Sequence, residues 1–334
     1  MSTCATASRD LAEPLAGTAA AARTWLLVEQ PGPWGGKALT ESRLDPALGR
    51  ALEAATGAHG ARVALIRRPG RHAECAGVAR HRVFVARTVP GDSWIRTALL
   101  RTDELETLAA LDFAALDSSP GTEGAALGPG WHPYGGDPLA LVCTNGRRDR
   151  CCALLGRPLA GELAASGAGD IWEITHIGGH RFAPTLLVLP YGYAYGRLDA
   201  TGVKAVLHAV RDDHVLTEGC RGRSAWDRPG QAADLAVRAR TGERRAEALT
   251  VRHIAAPPEA EADGAKGVAV SARWAVTVAH RDGRHWRVTV TERADGPALP
   301  ASCGALAASP ARMEIDGIEE GTAPVADPAS PRTP

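Results

Sequence analysis

Two cysteines and two histidines, each pair set behind an apolar run, limit what this chain can fold into more than anything else in it. The first pair stands in Cys143-Thr144-Asn145-Gly146-Arg147-Arg148-Asp149-Arg150-Cys151-Cys152, and the second in His176-Ile177-Gly178-Gly179-His180, 24 residues after Cys152. Residues 139–142 and 171–175, just before them, read as β-strands. Strands that lie side by side in an α/β sheet bring the loops at their ends together, so such a fold lets four ligands converge. Two thiolates and two imidazoles suit zinc or an iron–sulfur centre.

His176 and His180 have the spacing of a zinc-protease helix, but no Glu follows the first His. Gly178 and Gly179 would each weaken a helix by roughly 1 kcal/mol, and the residues before them read as strand. The segment is therefore a loop, in which glycine permits close backbone approach to a bulky centre. Eight residues separate Cys143 from Cys152, more than in the short knuckle of structural zinc sites. Arg147, Arg148 and Arg150 are expected near the centre, where their charge would stabilise a reduced, more anionic state. Asp149 is a candidate to orient one of these arginines or a histidine. Vicinal cysteines rarely serve one metal ion, and spacing alone leaves open which of Cys151 and Cys152 is the ligand; the other packs as a small buried hydrophobe.

Along the chain, residues 1–20 form a weakly helical lead. Residues 24–29, 62–66 and 82–86 read as strands and 48–55 as a helix, with a second helix over 105–113. A Gly- and Pro-rich stretch, 121–137, reads as a linker. The second half then repeats the order: strand 139–143, helix 153–165, strands 170–175, 185–189 and 192–197, and helices over 203–210 and 231–240. This strand–helix–strand–strand–helix order is that of a thioredoxin-like fold. The expected division is a degenerate thioredoxin-like half over 1–120, the linker, a thioredoxin-like domain over 138–243, and a β-rich region over 244–318. A Pro-, Ala- and Thr-rich tail, 319–334, is expected to be disordered. In the β-rich region, residues 272–279 and 285–291 flank Arg281-Asp282-Gly283-Arg284 as an antiparallel hairpin, and 257–266 is an acidic loop. The two halves look like a distant duplication, with Arg67 to His72 following its strand much as the histidine loop follows its own. Residues 31–36 hold no cysteine, so only the second copy carries the ligands.

Composition narrows the function. Formal net charge is zero, so no bulk field favours nucleic acid or an anionic membrane. No apolar run is long enough for a transmembrane helix, and the N-terminus lacks a secretory pattern. Seven cysteines, an odd number unevenly spread over 334 residues, point to reduced thiols in the cytoplasm rather than a disulfide framework. Cys4, Cys75, Cys220 and Cys303 have no metal-ligand spacing and read as structural or incidental. The Cys220-Arg221-Gly222-Arg223 segment is a weak candidate for a loop near the centre.

The Cys-x8-Cys segment followed by His-x-Gly-Gly-His-x-x-Ala resembles the sucrase/ferredoxin-like family, also described as thioredoxin-like ferredoxins. The likeness extends to residues 25–35, 186–198 and 222–233, and covers roughly residues 10–305. It implies a [2Fe–2S] cluster held by Cys143, Cys152, His176 and His180. Asn145 fills a position that is often His in relatives, which leaves those four intact. In thioredoxin-like folds a cis-proline precedes the third strand of the unit, and Pro184 is the candidate for it. No paired-carboxylate motif supports the "sucrase" part of the family name.

The leading expectation is an electron carrier between unidentified redox donor and acceptor proteins, with no nucleic acid or membrane partner. Histidine ligation implies a potential above that of an all-cysteine cluster and one that varies with pH. The alternatives are a structural Cys2His2 zinc scaffold and a thiol–disulfide oxidoreductase using Cys151 or Cys152, the latter disfavoured by the lack of a Cys-x-x-Cys motif.

Overall fold

A computed structural model describes residues 3–70, 80–118, 126–255 and 270–321. His72, Cys75, the first residues of the linker stretch, the acidic loop 257–266 and the tail from residue 322 lie outside the described residues.

Strand β1 (Thr24–Glu29) is buried along nearly its whole length, as an apolar run in a sheet covered on both faces should be. The helix Pro46–Gly57 follows. Asp45 caps it, accepting from the Ala47 N–H at 2.6 Å, and Pro46 takes the first-turn place where no N–H is needed. Strand β2 (Ala61–Arg67) then pairs parallel with β1. Strands β3 (Arg80–Val89) and β4 (Asp92–Arg101) return antiparallel, β3 on the other side of β1. The short β5 (His132–Pro133) closes the β4 edge.

The second unit repeats this plan. Strand β6 (Leu139–Cys143) leads through a wide turn, Cys152–Gly156, into the helix Arg157–Ala165. Strand β7 (Asp170–Ile174) is parallel to β6, while β8 (Thr185–Leu189) and β9 (Tyr193–Gly196) are antiparallel, β8 on the other side of β6. Strand β10 (Cys220–Arg223) adds to β9. All ten strands form one mixed sheet in the order β10-β9-β8-β6-β7-β2-β1-β3-β4-β5. The units meet where β2 and β7 pair antiparallel, Ile66 opposite Ile174 and Arg67 opposite Glu173.

Alternation along β6 divides the core. Ala140 and Val142 face the helices Arg157–Ala165 and Ala200–Arg211, while Leu139, Leu141 and Cys143 face a layer holding Trp25, Phe84, Trp172 and Ile174 that spans both units. The ligand-bearing strand end is thus fixed from both sides.

The expected helix over 105–113 is instead a 3-10 helix, Thr102–Ala110, followed by a short α-helix, Phe113–Ser118. Leu105, Leu108 and Leu111 recur every third residue, and 3-10 geometry is the one that stacks such positions on a single face.

After the helix Arg228–Thr241 comes a four-stranded antiparallel sheet, in the order β11 (Leu249–Ala255), β12 (Val270–His280), β13 (His285–Arg293) and β16 (Arg312–Glu320). A two-stranded ribbon, β14 (Leu299–Pro300) with β15 (Ala307–Ala308), lies between its last two strands in sequence. The hairpin expected around Asp282 and Gly283 is β12–β13. Strand β16 takes in Glu319 and Glu320, the first residues of the stretch read as tail, because Met313, Ile315 and Ile318 bind it to the core of this sheet. Among the described residues, no helix is long and apolar enough to cross a membrane.

Candidate metal centre

Cys143 ends β6 and Cys152 opens the helical segment that returns from it. The loop between them is tied by backbone bonds: the N–H groups of Arg148 and Asp149 donate to the Asn145 carbonyl, and the Cys152 N–H donates to the Asp149 carbonyl. The Asn145 amide donates to the Gly35 carbonyl of the first unit at 3.1 Å. Gly156 lets the helical segment press on the strand end, because a Cβ there would overlap the Cys143 carbonyl oxygen. The two sulfurs come to 3.4 Å, in a hydrogen bond between the two side chains. That bond, helped by His176 and opposed by burial, holds Cys143 well below the ordinary thiol value, and it pushes Cys152 up.

The histidine segment is a loop, as its glycines require. Gly178 and Gly179 have φ of +82° and +71°, in the left-handed region. His176 brings its ring to the cysteines, and the donor atoms of Cys143, Cys152 and His176 lie within 4.8 Å of one another. The His180 ring is 4.9 Å from that of His176, centroid to centroid, and its Nε2 is 3.7 Å from Asp149 Oδ2. Burial lowers the His180 pKa, although Asp149 works in the opposite sense. The Nδ1 atoms of both histidines are buried and have no hydrogen-bond partner. A buried imidazole nitrogen left unpaired carries a desolvation penalty, which a metal bond would remove.

Arg147, Arg148 and Arg150 are exposed, because their long charged side chains keep their heads in water. The cation inside is Arg221 on β10, fully buried. It donates through Nη1 to the Gly178 carbonyl at 3.1 Å, through Nε to Thr18 Oγ1 at 3.1 Å, and through Nη2 to the Thr18 carbonyl. Burial lowers its pKa to about 10, and the Cys143 and Cys152 sulfurs work against that fall. The Cys-Arg-Gly-Arg segment does lie by the centre, as a strand rather than a loop.

Asp149 is buried and lies beside a histidine, its Oδ2 3.7 Å from Nε2 of His180. Burial would push its carboxyl up, but the N–H groups of Cys303 and Cys151 and the His180 charge outweigh it and hold the pKa below the ordinary value. Cys151 turns away from Cys152, as expected of vicinal cysteines, and is fully buried. Cys4 and Cys303, read as incidental, lie beside it. No sequence spacing reveals this, since the three cysteines come from opposite ends and the middle of the chain. Cys220 packs in the core, where burial raises its pKa to about 12. The Ala183–Pro184 peptide is cis, as expected for Pro184.

Fold and site define an α/β protein with a buried cysteine–histidine donor group of the kind that holds a soft or borderline metal. The sucrase/ferredoxin-like family model matches residues 15–222, and the chain belongs to that family. All four expected ligands fall inside the matched span, whereas the four-stranded sheet lies beyond it. No curated protein and no solved structure matches the chain.

Proposed function

We propose that this protein is an electron carrier whose [2Fe–2S] cluster is held by Cys143, Cys152, His176 and His180. The observation that carries the reading is the donor set: two apposed cysteine sulfurs beside two histidines whose Nδ1 atoms are buried without partners. A two-metal centre is wider than one ion, so its fourth ligand need not fall within the radius that gathers Cys143, Cys152 and His176. The strand order supports a thioredoxin-like reading of both units, each with a parallel pair, a connecting helix and an antiparallel return through the first strand's free side. The described cysteines are all free thiols, in keeping with a reducing compartment such as the cytoplasm.

When bound, a [2Fe–2S] cluster supplies one-electron exchange, at a potential raised by histidine ligation. The chain's own residues tune it. Arg221 fixes the histidine loop and puts a buried positive charge close to Cys143 and Cys152. Asp149 faces Nε2 of His180 and so leaves Nδ1 as the free donor. Histidine ligation is expected to make the midpoint potential fall with rising pH. Donor and acceptor are proposed to be redox proteins that dock by this loop.

The compact trio of Cys143, Cys152 and His176 would also suit a single zinc ion. Anaerobically purified protein should be brown, with about two irons and two acid-labile sulfides per chain in this centre. Protein that stays colourless after reconstitution with iron and sulfide overturns the reading, and zinc lost on Cys143→Ser substitution would then establish the alternative.

A further inference from the structure

A second set of soft donors lies behind the first. Cys151 Sγ is 3.3 Å from Cys4 Sγ and 3.3 Å from Cys303 Sγ, and the last two are 3.6 Å apart. Both carboxylate oxygens of Asp149 lie 3.9 Å from Cys4 Sγ. The donor atoms of all four residues fall within 4.8 Å of one another. Cys4 and Cys151 are buried and Cys303 is partly buried. The separations are far too long for a disulfide, whose sulfurs are about 2.05 Å apart.

Ordinary packing does not explain the arrangement. Cysteines filling a core have no need to turn three sulfurs toward one point, and a hydrophobic pocket excludes a carboxylate. Asp149 is nonetheless held there by two backbone donors, the Cys151 N–H to Oδ1 at 2.8 Å and the Cys303 N–H to Oδ2 at 2.9 Å. Nε2 of His180 lies 3.7 Å from its Oδ2. The group gathers three thiols around one buried carboxylate.

We propose that Cys4, Cys151, Cys303 and Asp149 form a second metal site, for a single zinc ion, alongside the cysteine–histidine centre. The dimensions fit. A circle through the three sulfurs has a radius of about 2.0 Å, so an ion at the usual Zn–S distance of about 2.3 Å stands about 1.2 Å off their plane. That leaves the fourth tetrahedral position for a carboxylate oxygen. Three thiolates with one carboxylate favour zinc over calcium or magnesium, which take oxygen ligands only. Binding displaces the thiol protons to solvent.

The site joins three distant parts of the chain: the helix Cys4–Asp10, the loop before Cys152, and the turn between β14 and β15. That helix packs on both the His180–Phe182 turn and β14, so the ion would fasten a cover over the histidine loop. Asp149 would serve both centres, as zinc ligand and as the group facing His180. Cys4 and Cys303 lie outside the span matched by the family model, so the site belongs to this chain rather than to the family pattern.

The test titrates cobalt(II), as a coloured stand-in for zinc, into the full chain carrying Cys143→Ser and Cys152→Ser, under anaerobic reducing conditions. One equivalent should bind with a sulfur-to-cobalt charge-transfer band, and zinc should displace it. Adding Cys4→Ser or Cys303→Ser should weaken cobalt binding by more than about tenfold. No charge-transfer band, or unchanged affinity after those substitutions, overturns the site. If circular dichroism shows the double variant unfolded, the metal content of the wild-type chain decides. One zinc that Cys4→Ser removes, while iron and sulfide stay, supports the proposal, and absence of zinc overturns it. So does a disulfide between any two of the three cysteines in the reduced preparation. In a chain that never takes up sulfide, zinc removed by Cys4→Ser but not by Cys143→Ser would refute the electron-carrier reading and leave this site standing, whereas zinc removed only by Cys143→Ser would overturn this site.

Discussion

Substituting Arg67 by Met tests whether the two four-strand units stand or fall together. Arg67 Nε donates to Glu173 Oε2 at 2.7 Å and Nη2 lies 2.6 Å from the same oxygen, with side chains 8 % and 6 % exposed. The pair sits at the β2–β7 joint. With Met in place, Glu173 keeps its bond from the Thr144 hydroxyl at 2.9 Å but loses its cation. Breaking a buried pair from one side costs roughly 3–5 kcal/mol, a large part of the roughly 5–15 kcal/mol that holds a typical domain folded. The double variant Arg67→Met, Glu173→Leu removes both charges. It leaves Thr144 without its partner, at about 1 kcal/mol, while the Gly32 carbonyl, which accepts from Arg67 Nη1 at 2.9 Å, loses its donor in both variants alike. The double variant should therefore stand about 2–4 kcal/mol above the single. Urea unfolding followed by tryptophan fluorescence measures both. Because Thr144 follows Cys143, metal loading should fall in the single variant and recover in the double. A single variant less than about 1 kcal/mol below wild type, or a double that recovers nothing, would refute the reasoning.

Gly156→Ala should lower metal occupancy and cost about 1–3 kcal/mol, because its methyl meets the Cys143 carbonyl oxygen. Gly161→Ala, on the next turn and with open space around it, should leave occupancy unchanged, and equal losses in both would sink the argument. Asp282→Asn probes the hairpin of the C-terminal sheet. The Arg284 N–H and then His280 hold the Asp282 pKa down to about 2, so its contribution is full above about pH 4 and is lost as pH falls toward 2. In thermal melts the variant should be the less stable protein at pH 7, with the gap closing between pH 4 and 2; a gap independent of pH contradicts the assignment.

Strands with strong local signals were legible in the sequence. Thr24–Glu29, Leu139–Cys143 and Thr185–Leu189 are apolar runs bounded by turn formers, and each is a strand with those limits or within a residue of them. Strand β4 escaped notice because Asp92–Arg101 is mostly half-exposed, with neither clean alternation nor a continuous apolar run. The Gly-Gly loop was legible because two adjacent left-handed positions need glycine. Arg221 was not, because nothing local distinguishes a buried arginine from an exposed one. Its place is set by β10 pairing with β9, with a register shift between Cys220 and Gly222.

The cysteine loop shows how one short segment addresses two places. Cys151 has helical backbone angles, φ −62° and ψ −36°, and Cys152 opens the helical segment after it. Successive residues of a helix project about 100° apart, so Cys151 and Cys152 are bound to serve different neighbours. Cys152 faces Cys143, and Cys151 faces Cys4 and Cys303. Asp149 lies between, with one carboxylate oxygen on the Cys151 N–H and the other shared between the Cys303 N–H and the side facing His180. A change at Asp149 must therefore disturb both groups at once, while a change at Cys4 reaches only one of them and a change at Cys143 touches the other first. That asymmetry follows from helical geometry alone, and it makes the two donor groups separable by experiment even though they share a loop.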